Sequence, residues 1–206
     1  MTLTQFAIIA VCGYLLGSLS FAIIVSKVTL GKDIRNYGSG NAGLTNAYRT
    51  MGAKKTLFVL LGDIAKGAAA ISIGALLVGP VGKLVAGIFV ILGHMFPVYF
   101  GFRGGKGVLV GAGAALATEP LVCAVLLGIF LIEVAVTRIV SLGSIIIAAL
   151  YPVGTLINLI ARGANAATIV FSTVCCVIMA AMVIWLHRSN IERLKNGTEY
   201  RFGQKK

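Results

Sequence analysis

The chain has 206 residues, of which 58% are hydrophobic and only 12% are charged. A water-soluble domain of this length has too little interior to bury so much apolar surface, so the composition excludes one and predicts lipid as the solvent. A formal net charge of +12 would suit a nucleic-acid-binding protein, but here the cations cluster between apolar runs, which is typical of membrane topology. The four cysteines lie inside apolar runs and have no metal-ligand spacing, so they are interpreted as small packing residues.

Apolar runs separated by polar or Gly/Pro breaks predict seven membrane spans. They cover residues 4–26, 57–79, 83–100, 107–118, 120–137, 142–160 and 166–186. The first run is not expected to be a cleaved signal peptide, because it is long and no basic residue precedes it. The fourth run is short for a crossing, and its glycine-rich start suggests a helix recessed into the protein.

Fifteen of the eighteen Lys and Arg residues fall in four segments that follow alternate spans. These segments are residues 27–56, 101–106, 138–141 and 187–206. The positive-inside rule places them in the cytoplasm, with the N-terminus outside and the C-terminus inside. No domain boundary or internal repeat is visible. The sequence therefore predicts an all-α, polytopic membrane bundle of seven transmembrane helices. It would form one domain over residues 1–206, with its polar clusters on the cytoplasmic face.

The first polar cluster follows the first span and contains DIRNYGSGNAGLTNAYRTMG. Its GSGNAG run formally matches the dinucleotide fingerprint, but the strand and βαβ unit that this fingerprint needs are absent from the pattern. Glycines and an asparagine can instead curl the backbone into a nest of N–H donors for a phosphate. Polar and cationic side chains around it are Arg35, Ser39, Asn41, Thr45, Asn46 and Arg49. The alternative, a basic loop that only fixes topology, accounts for Lys54 and Lys55 but not for Gly-Ser-Gly.

Two features follow in the second and third spans. Asp63 and Lys66 are spaced i, i+3 and form either a structural ion pair or the lining of a cavity, and we favour the pair. His94, near the cytoplasmic end of the third span, is equally well a packing residue or a functional group. The second polar cluster, GHMFPVYFGFRGGKGV, begins beside it. This is not a P-loop, because the spacing is too short, yet Lys106 between glycines at a helix start suits a phosphate.

The third polar cluster follows the last span, where His187, Arg188 and Asn190 could meet a substrate on the cytoplasmic face. Ser141 is predicted to cap the sixth span, and Glu133 in the fifth has no evident partner. The later cations are interpreted as a solvated tail attracted to anionic lipid; they are Arg193, Lys195, Arg201, Lys205 and Lys206. No Ser-His-Asp arrangement, HxxxxD pair or metal-ligand cluster stands out. An enzyme built this way would position an already activated substrate, without metal or cofactor.

The three clusters together resemble those of the bacterial acyl-phosphate:glycerol-3-phosphate acyltransferases. The matching patterns are DIR-x-x-GSGN-x-G-x-TN-x-x-R-x-x-G, GH-x-FP-x-x-F-x-x-x-GGKG and HR-x-NI-x-RL-x-x-G-x-E, and they extend over nearly the whole chain. Two positions depart from the family pattern. Ser20 stands where proline is usual and is expected to alter only a helix kink. Leu44 stands where alanine is usual, and it removes no polar group.

The resemblance implies transfer of a fatty acyl group from acyl phosphate to the primary hydroxyl of glycerol 3-phosphate. The products would be 1-acyl-glycerol 3-phosphate and inorganic phosphate, in the first step of phospholipid biosynthesis at the bacterial inner membrane. The implied acyl-phosphate residues are Ser39, Gly40, Asn41, Gly43 and Thr45. The implied glycerol 3-phosphate residues are Arg49, Lys106, Ser141, His187, Arg188 and Asn190. The expected catalytic set is Ser39, Asn41, His94 and Lys106, with the proton passing either to the acyl phosphate itself or to His94.

No metal, cofactor or nucleic acid is expected, and the lipid bilayer is the surrounding partner of a functional monomer. Two other classes stay open on the sequence. A transporter or flippase for an organic phosphate would need polar residues deep in several spans and repeat symmetry, and neither is evident. A non-catalytic scaffold that holds acidic lipid through its basic tail would not need Asn41 or Lys106.

Overall fold

The computed structural model describes residues 1–203, and over this range the regular structure is helical. The α-helices are α1 (Leu3–Gly17), α2 (Phe21–Leu30), α3 (Leu44–Val78), α4 (Pro80–Met95), α5 (Val108–Thr118), α6 (Pro120–Thr137), α7 (Val140–Ala161), α8 (Ala166–Leu186) and α9 (Arg188–Lys195). Short 3₁₀ turns lie at Ile34–Asn36 and Val98–Phe100. The chain forms two compact units, Met1–Thr118 and Glu119–Lys206, the second described as far as residue 203.

Six stretches of the described chain are long and apolar enough to cross a membrane. They are Leu3–Leu30, Leu44–Val78, Pro80–Phe100, Pro120–Thr137, Val140–Ala161 and Ala166–Leu186. The all-α membrane fold is therefore confirmed. The seventh expected span, residues 107–118, corresponds to α5, whose 11 residues fall short of the roughly 20 that a full crossing needs. Seven crossings and the orientation of the chain stay predictions.

The first span departs from the single helix expected over residues 4–26. It is divided into α1 and α2 by a break at Ser18–Ser20, and α2 continues to Leu30. Ser20 occupies the N-cap position of α2, but its side chain forms no hydrogen bond with the first turn of the helix. Before the break, α1 packs closely on α4, where a Cβ on Gly17 would collide with Val90 and one on Gly93 with Tyr14. Small residues of this kind allow helix backbones to approach closely in a membrane.

The second span also begins earlier than expected, because α3 starts at Leu44 rather than near residue 57. Thr45, Asn46 and Arg49 are therefore helical and do not belong to a loop. At Gly52 the backbone leaves the helical region, with φ 74° and ψ 175°, so α3 consists of two helical segments joined at a kink. A positive φ is accessible to glycine at little cost, which explains why the kink falls at this residue.

The second unit contains α6 to α9, and its spans hold a few polar groups in pairs. Glu119 accepts a hydrogen bond of 2.6 Å from Asn158. Glu133, which had no partner in sequence, accepts one of 2.6 Å from Thr137, one turn further along α6. Cys175 and Cys176 are buried in α8, and none of the four cysteines, all within the described residues, forms a disulfide, in accord with their interpretation as packing residues.

Candidate functional site

The α2–α3 loop (residues 31–43) is held in the first unit by two buried apolar side chains. Ile34 and Ala42 belong to a core cluster together with Ala22, Ile23, Val25, Ala47 and Val59. These residues come from α2, the loop and α3, so both ends of the loop are fixed by packing. The segment between them, with Ser39 and Gly40 exposed and Asn41 half-buried, lies at the surface. A loop pinned in this way can present polar groups in a defined geometry.

Asn46, in the first turn of α3, organises the α2–α3 loop from beneath. Its side chain is 2% exposed. Its Oδ1 accepts from the Ser39 N–H at 2.9 Å, and its Nδ2 donates to the carbonyls of Tyr37 and Asn41 at 3.0 and 2.9 Å. Gly38 has a φ of 60°, and a Cβ there would collide with Asn46 Oδ1. Both the left-handed backbone and the close approach therefore require glycine at residue 38.

The donors of the predicted nest differ from the expectation in one respect. The Ser39 N–H is taken by Asn46, and the Gly40 N–H donates to the Tyr37 carbonyl at 3.0 Å. These two backbone groups thus hold the loop together and are not available to a phosphate in this conformation. The N-terminus of α3 supplies other N–H donors. Its N-cap is Gly43, which has no side chain to accept a hydrogen bond from the first turn. An uncapped helix N-terminus presents N–H groups and a partial positive charge to an anion.

The α4–α5 loop (residues 96–107) lies against this first loop. The N–H groups of Gly104 and Gly105 donate to the carbonyls of Met95 and His94, each at 3.1 Å, so the loop folds back on the end of α4. A Cβ on Gly105 would collide with His94 Nε2 and would lie 2.8 Å from the Ala42 carbonyl oxygen. Glycine at residue 105 therefore allows contact with both α4 and the α2–α3 loop. Lys106, which follows it, is half-buried.

Arg35 joins the two loops. Its guanidinium donates to the carbonyls of Phe100 and Arg103 at 2.6 and 3.0 Å and forms an ion pair of 2.8 Å with Asp33. The hydrogen bonds from Arg35 lower the pKa of the Asp33 carboxyl below its ordinary value of 3.8, and Asp33 in turn raises the pKa of Arg35. Arg35 is thus a clamp between loops, whereas the sequence suggested that it supplies charge for an anion. Arg49 is exposed on α3.

His94 does not lie at the surface of the two loops but beneath them, with 3% of its surface exposed. Its Nδ1 lies 2.9 Å from Lys66 Nζ, and Lys66 pairs with Asp63 at 2.8 Å, which confirms the predicted i, i+3 pair. The three residues form a buried polar cluster of α3 and α4. Sequence reasoning found the Asp63–Lys66 pair from its spacing but did not connect His94 with it.

In the second unit, two residues that were predicted to bind glycerol 3-phosphate share one hydrogen-bond acceptor, Glu199. Ser141 and Asn190 both donate to Glu199 Oε1, at 2.9 and 2.7 Å. Arg193 pairs with the other carboxylate oxygen at 2.7 Å, so it belongs to this cluster and not to a solvated tail. Ser141 does not cap α7, whose N-cap is Ile139. Glu199 was missed as a site residue, although the third motif ends on it.

The remaining predicted residues of the second unit have different surroundings. His187 is 2% exposed, with Nδ1 2.8 Å from the Val183 carbonyl oxygen. Arg188 is exposed and stacks on the Trp185 ring, with the guanidinium 4.5 Å from the ring centroid. The predicted tail residues Lys205 and Lys206 lie outside the described residues. Over residues 1–203, no group of three or more His, Cys, Asp or Glu side chains has the geometry of a metal site.

Comparison with known proteins shows which family the chain belongs to. A family model described as glycerol-3-phosphate acyltransferase matches residues 7–197. A glycerol-3-phosphate acyltransferase of Clostridioides difficile (strain 630) is 43% identical over 100% of both chains, and one of Geobacillus kaustophilus (strain HTA426) is 41% identical over 94% of each. The glycerol 3-phosphate form of PlsY (YgiH), an integral membrane glycerol 3-phosphate acyltransferase, matches with a TM-score of 0.83 and 34% identity over 96% of each chain. The chain therefore belongs to the glycerol-3-phosphate acyltransferase family and is an integral membrane acyltransferase of phospholipid synthesis.

Proposed function

We propose that the protein transfers a fatty acyl group from acyl phosphate to the primary hydroxyl of glycerol 3-phosphate, giving 1-acyl-glycerol 3-phosphate and inorganic phosphate. The observation that carries this proposal is the pairing of two loops in the first unit. The uncapped N-terminus of α3 and the Gly104–Lys106 segment lie side by side, joined by Arg35. Both features suit phosphate groups, and both proposed substrates carry one.

The donor phosphate is assigned to the α2–α3 loop. Ser39, Gly40, Asn41, Gly43 and Thr45 form this part of the proposed site, in which Ser39 would contribute its hydroxyl and Gly40 its lack of a side chain, since their N–H groups are already used within the loop. Asn41 is half-buried beside Gly43, with its Nδ2 3.2 Å from where a Gly43 Cβ would lie. Its amide and the first-turn N–H groups of α3 would stabilise the negative charge that the departing phosphate gains. Charge moves onto the bridging oxygen only as the acyl–oxygen bond breaks, so these donors act mainly on the transition state.

The acceptor phosphate is assigned to cationic and polar side chains. Lys106 and Arg49 of the first unit supply the charge, and the family resemblance separately implies roles in glycerol 3-phosphate binding for Ser141, His187, Arg188 and Asn190. The acceptor hydroxyl attacks the carbonyl carbon of acyl phosphate, the bond from this carbon to the phosphate oxygen breaks, and the proton leaves with the phosphate. An acyl phosphate is already activated, so no nucleophilic side chain is needed.

The setting of the reaction is part of the same proposal. The chain would form a single domain, 1–206, and the family model's match across both units supports this. Seven spans with the N-terminus outside would place the loops on the cytoplasmic side of the bacterial inner membrane, where glycerol 3-phosphate is available. The enzyme would act as a monomer and without a metal or cofactor. Its activity should therefore persist in EDTA, and a loss that a divalent ion restores would contradict this.

The experiment that tests the donor site is Asn41→Ala, assayed with acyl phosphate and labelled glycerol 3-phosphate. Loss of one oxyanion donor should lower kcat about a hundredfold and change the KM values less. Asn36→Ala is the matched control, because Asn36 is an exposed, uncharged residue of the same loop. If kcat survives in Asn41→Ala and only the KM for glycerol 3-phosphate rises, the two phosphate sites are reversed. Acyl-CoA and acyl-carrier protein, tested as donors in parallel, should not replace acyl phosphate.

A further inference from the structure

A buried polar cluster beneath the two loops has no place in the chemistry described above. The side chains of Asp63, Lys66 and His94 are 2%, 1% and 4% exposed. Besides pairing with Asp63, Lys66 Nζ donates to the carbonyls of Gly17 and Leu19 at 3.0 and 2.7 Å. Those carbonyls lie at the break between α1 and α2. Charged groups are expensive inside a membrane span, so a cluster of this kind must do something that an apolar core cannot.

The contacts of Lys66 determine what His94 can do. An ammonium group has three donors and no acceptor, so the nitrogen of His94 that faces it must be the acceptor. That nitrogen is Nδ1, 2.9 Å from Lys66 Nζ. The proton of the neutral ring is therefore assigned to Nε2 from its hydrogen-bond partners. Because the basic nitrogen is engaged by Lys66, and the other one already carries a proton, His94 has no lone pair to accept a proton from the acceptor hydroxyl.

The protonated nitrogen faces the α4–α5 loop. A Cβ on Gly105 would collide with His94 Nε2, and the Gly105 N–H donates to the His94 carbonyl at 3.1 Å. The side chain and the main chain of His94 thus both contact the residue that precedes Lys106. Through Lys66, the same contacts extend to the break in the first span, where the freed carbonyls of Gly17 and Leu19 need donors.

We propose that Asp63, Lys66 and His94 are positioning residues that fix the Gly104–Lys106 segment. The Lys66 ammonium orients the His94 ring, Asp63 balances the charge of Lys66, and the ring supports Gly105 so that Lys106 is held at the acceptor phosphate. This inference rests on the proposed role of Lys106.

The test compares four single variants with wild type in detergent or membranes. His94→Leu and Lys66→Met should each raise the KM for glycerol 3-phosphate about ten- to a hundredfold and lower kcat less, because a small displacement of a binding group costs this much. His94→Asn keeps an acceptor close to the Nδ1 position and should recover most of the loss. Lys83→Met is the matched control, since Lys83 donates to a single carbonyl, that of Ala117, and should behave like wild type.

Folding is checked by elution volume and melting temperature before kinetics are compared. Because Lys66→Met leaves Asp63 buried and unpaired, the double variant Asp63→Asn/Lys66→Met is made as well, in which no unpaired charge remains. It should fold like wild type and still show the raised KM. A folded double variant with wild-type KM would overturn the proposal.

Three further results separate this inference from the proposed function. If His94 positions Lys106, His94→Leu added to Lys106→Ala should raise the KM no further, whereas independent residues would give additive effects and reject the positioning role. A kcat in His94→Asn as low as in His94→Leu, with a changed pH–kcat profile, would make His94 the base after all. Wild-type kinetics in Lys106→Ala alone would instead reject the proposed acceptor site.

Discussion

The two units of the molecule use their polar side chains differently. In the first unit, Arg35, Asn46 and Lys66 donate to main-chain carbonyls of the loops and of the break in the first span. In the second unit, polar side chains converge on carboxylates, as Ser141 and Asn190 do on Glu199. The first pattern fixes where an irregular backbone runs, and the second fixes how side chains on regular helices are oriented. A substitution in the first unit is therefore expected to displace a loop, and one in the second to misorient side chains.

The largest effect is expected from Glu199→Leu in the second unit. It would leave Ser141, Asn190 and Arg193 without their common acceptor, and losing buried partners of a charged group costs about 2–4 kcal/mol. The melting temperature of the purified protein should fall clearly. Glu192→Leu is the control, because Glu192 is exposed on α9 and should change the melting temperature little. An unchanged melting temperature in Glu199→Leu would show that the carboxylate does not organise this unit.

An intermediate effect is expected from Asn46→Ala in the first unit. The change removes the hydrogen bonds that hold Ser39, Tyr37 and Asn41, at a cost of about 1–3 kcal/mol, and it should act mainly on the loop. Hydrogen exchange should therefore quicken in residues 33–43 while the α6–α8 helices keep their protection. Asn46→Asp restores an acceptor for the Ser39 N–H but no donor, so it should recover only part of the effect. Uniform loss of protection in both units would contradict the comparison.

The smallest effect is expected from Asp33→Asn, since the Asp33–Arg35 pair is partly exposed. Because Arg35 lowers the pKa of Asp33 in the folded protein, the pair stabilises the fold above the ordinary pKa of 3.8. This contribution is lost as the pH falls through the lowered pKa. Melting temperatures measured from neutral pH downward should show a weaker acid-induced decrease in Asp33→Asn than in wild type. Equal slopes would mean that Arg35 clamps the loops without depending on Asp33.

The long apolar runs of α3, α4, α6, α7 and α8 were predictable because lipid imposes a minimum length on a span. At Ser20 the family resemblance implied only a kink; the full break at Ser18–Ser20 was not predictable, because its residues are small and the donor for its carbonyls, Lys66, lies 49 positions from Gly17. The role of Arg35 was missed for the same reason, since its partner carbonyls are 65 and 68 positions away. Local patterns report composition and periodicity, whereas these contacts exist only once the chain has folded.

In the candidate site, too, some features were predictable from local sequence patterns and others were not. The loops with GSGNAG and GGKG were recognised because glycine and cations at helix starts have a direct physical meaning for phosphate binding. Which N–H groups stay available was not predictable, because that depends on the position of the Asn46 side chain. Glu199 was missed because a carboxylate does not suggest a phosphate site. Its structural role depends on contacts such as the hydrogen bond from Ser141, which lies 58 positions away in the sequence.

The kink at Gly52 also has a geometric consequence for the depth of the site. A straight helix of 35 residues would be about 52 Å long, far longer than a hydrocarbon core of about 30 Å. The segment after Gly52 is about 39 Å long, which fits within the roughly 40–45 Å of a bilayer with its headgroup regions, and residues 44–51 leave its axis. Gly52 thus determines how far the start of α3 stands from the bilayer centre. Every residue inserted between Gly52 and Val78 would shift both Thr45 and Arg49 by about 1.5 Å along the helix axis.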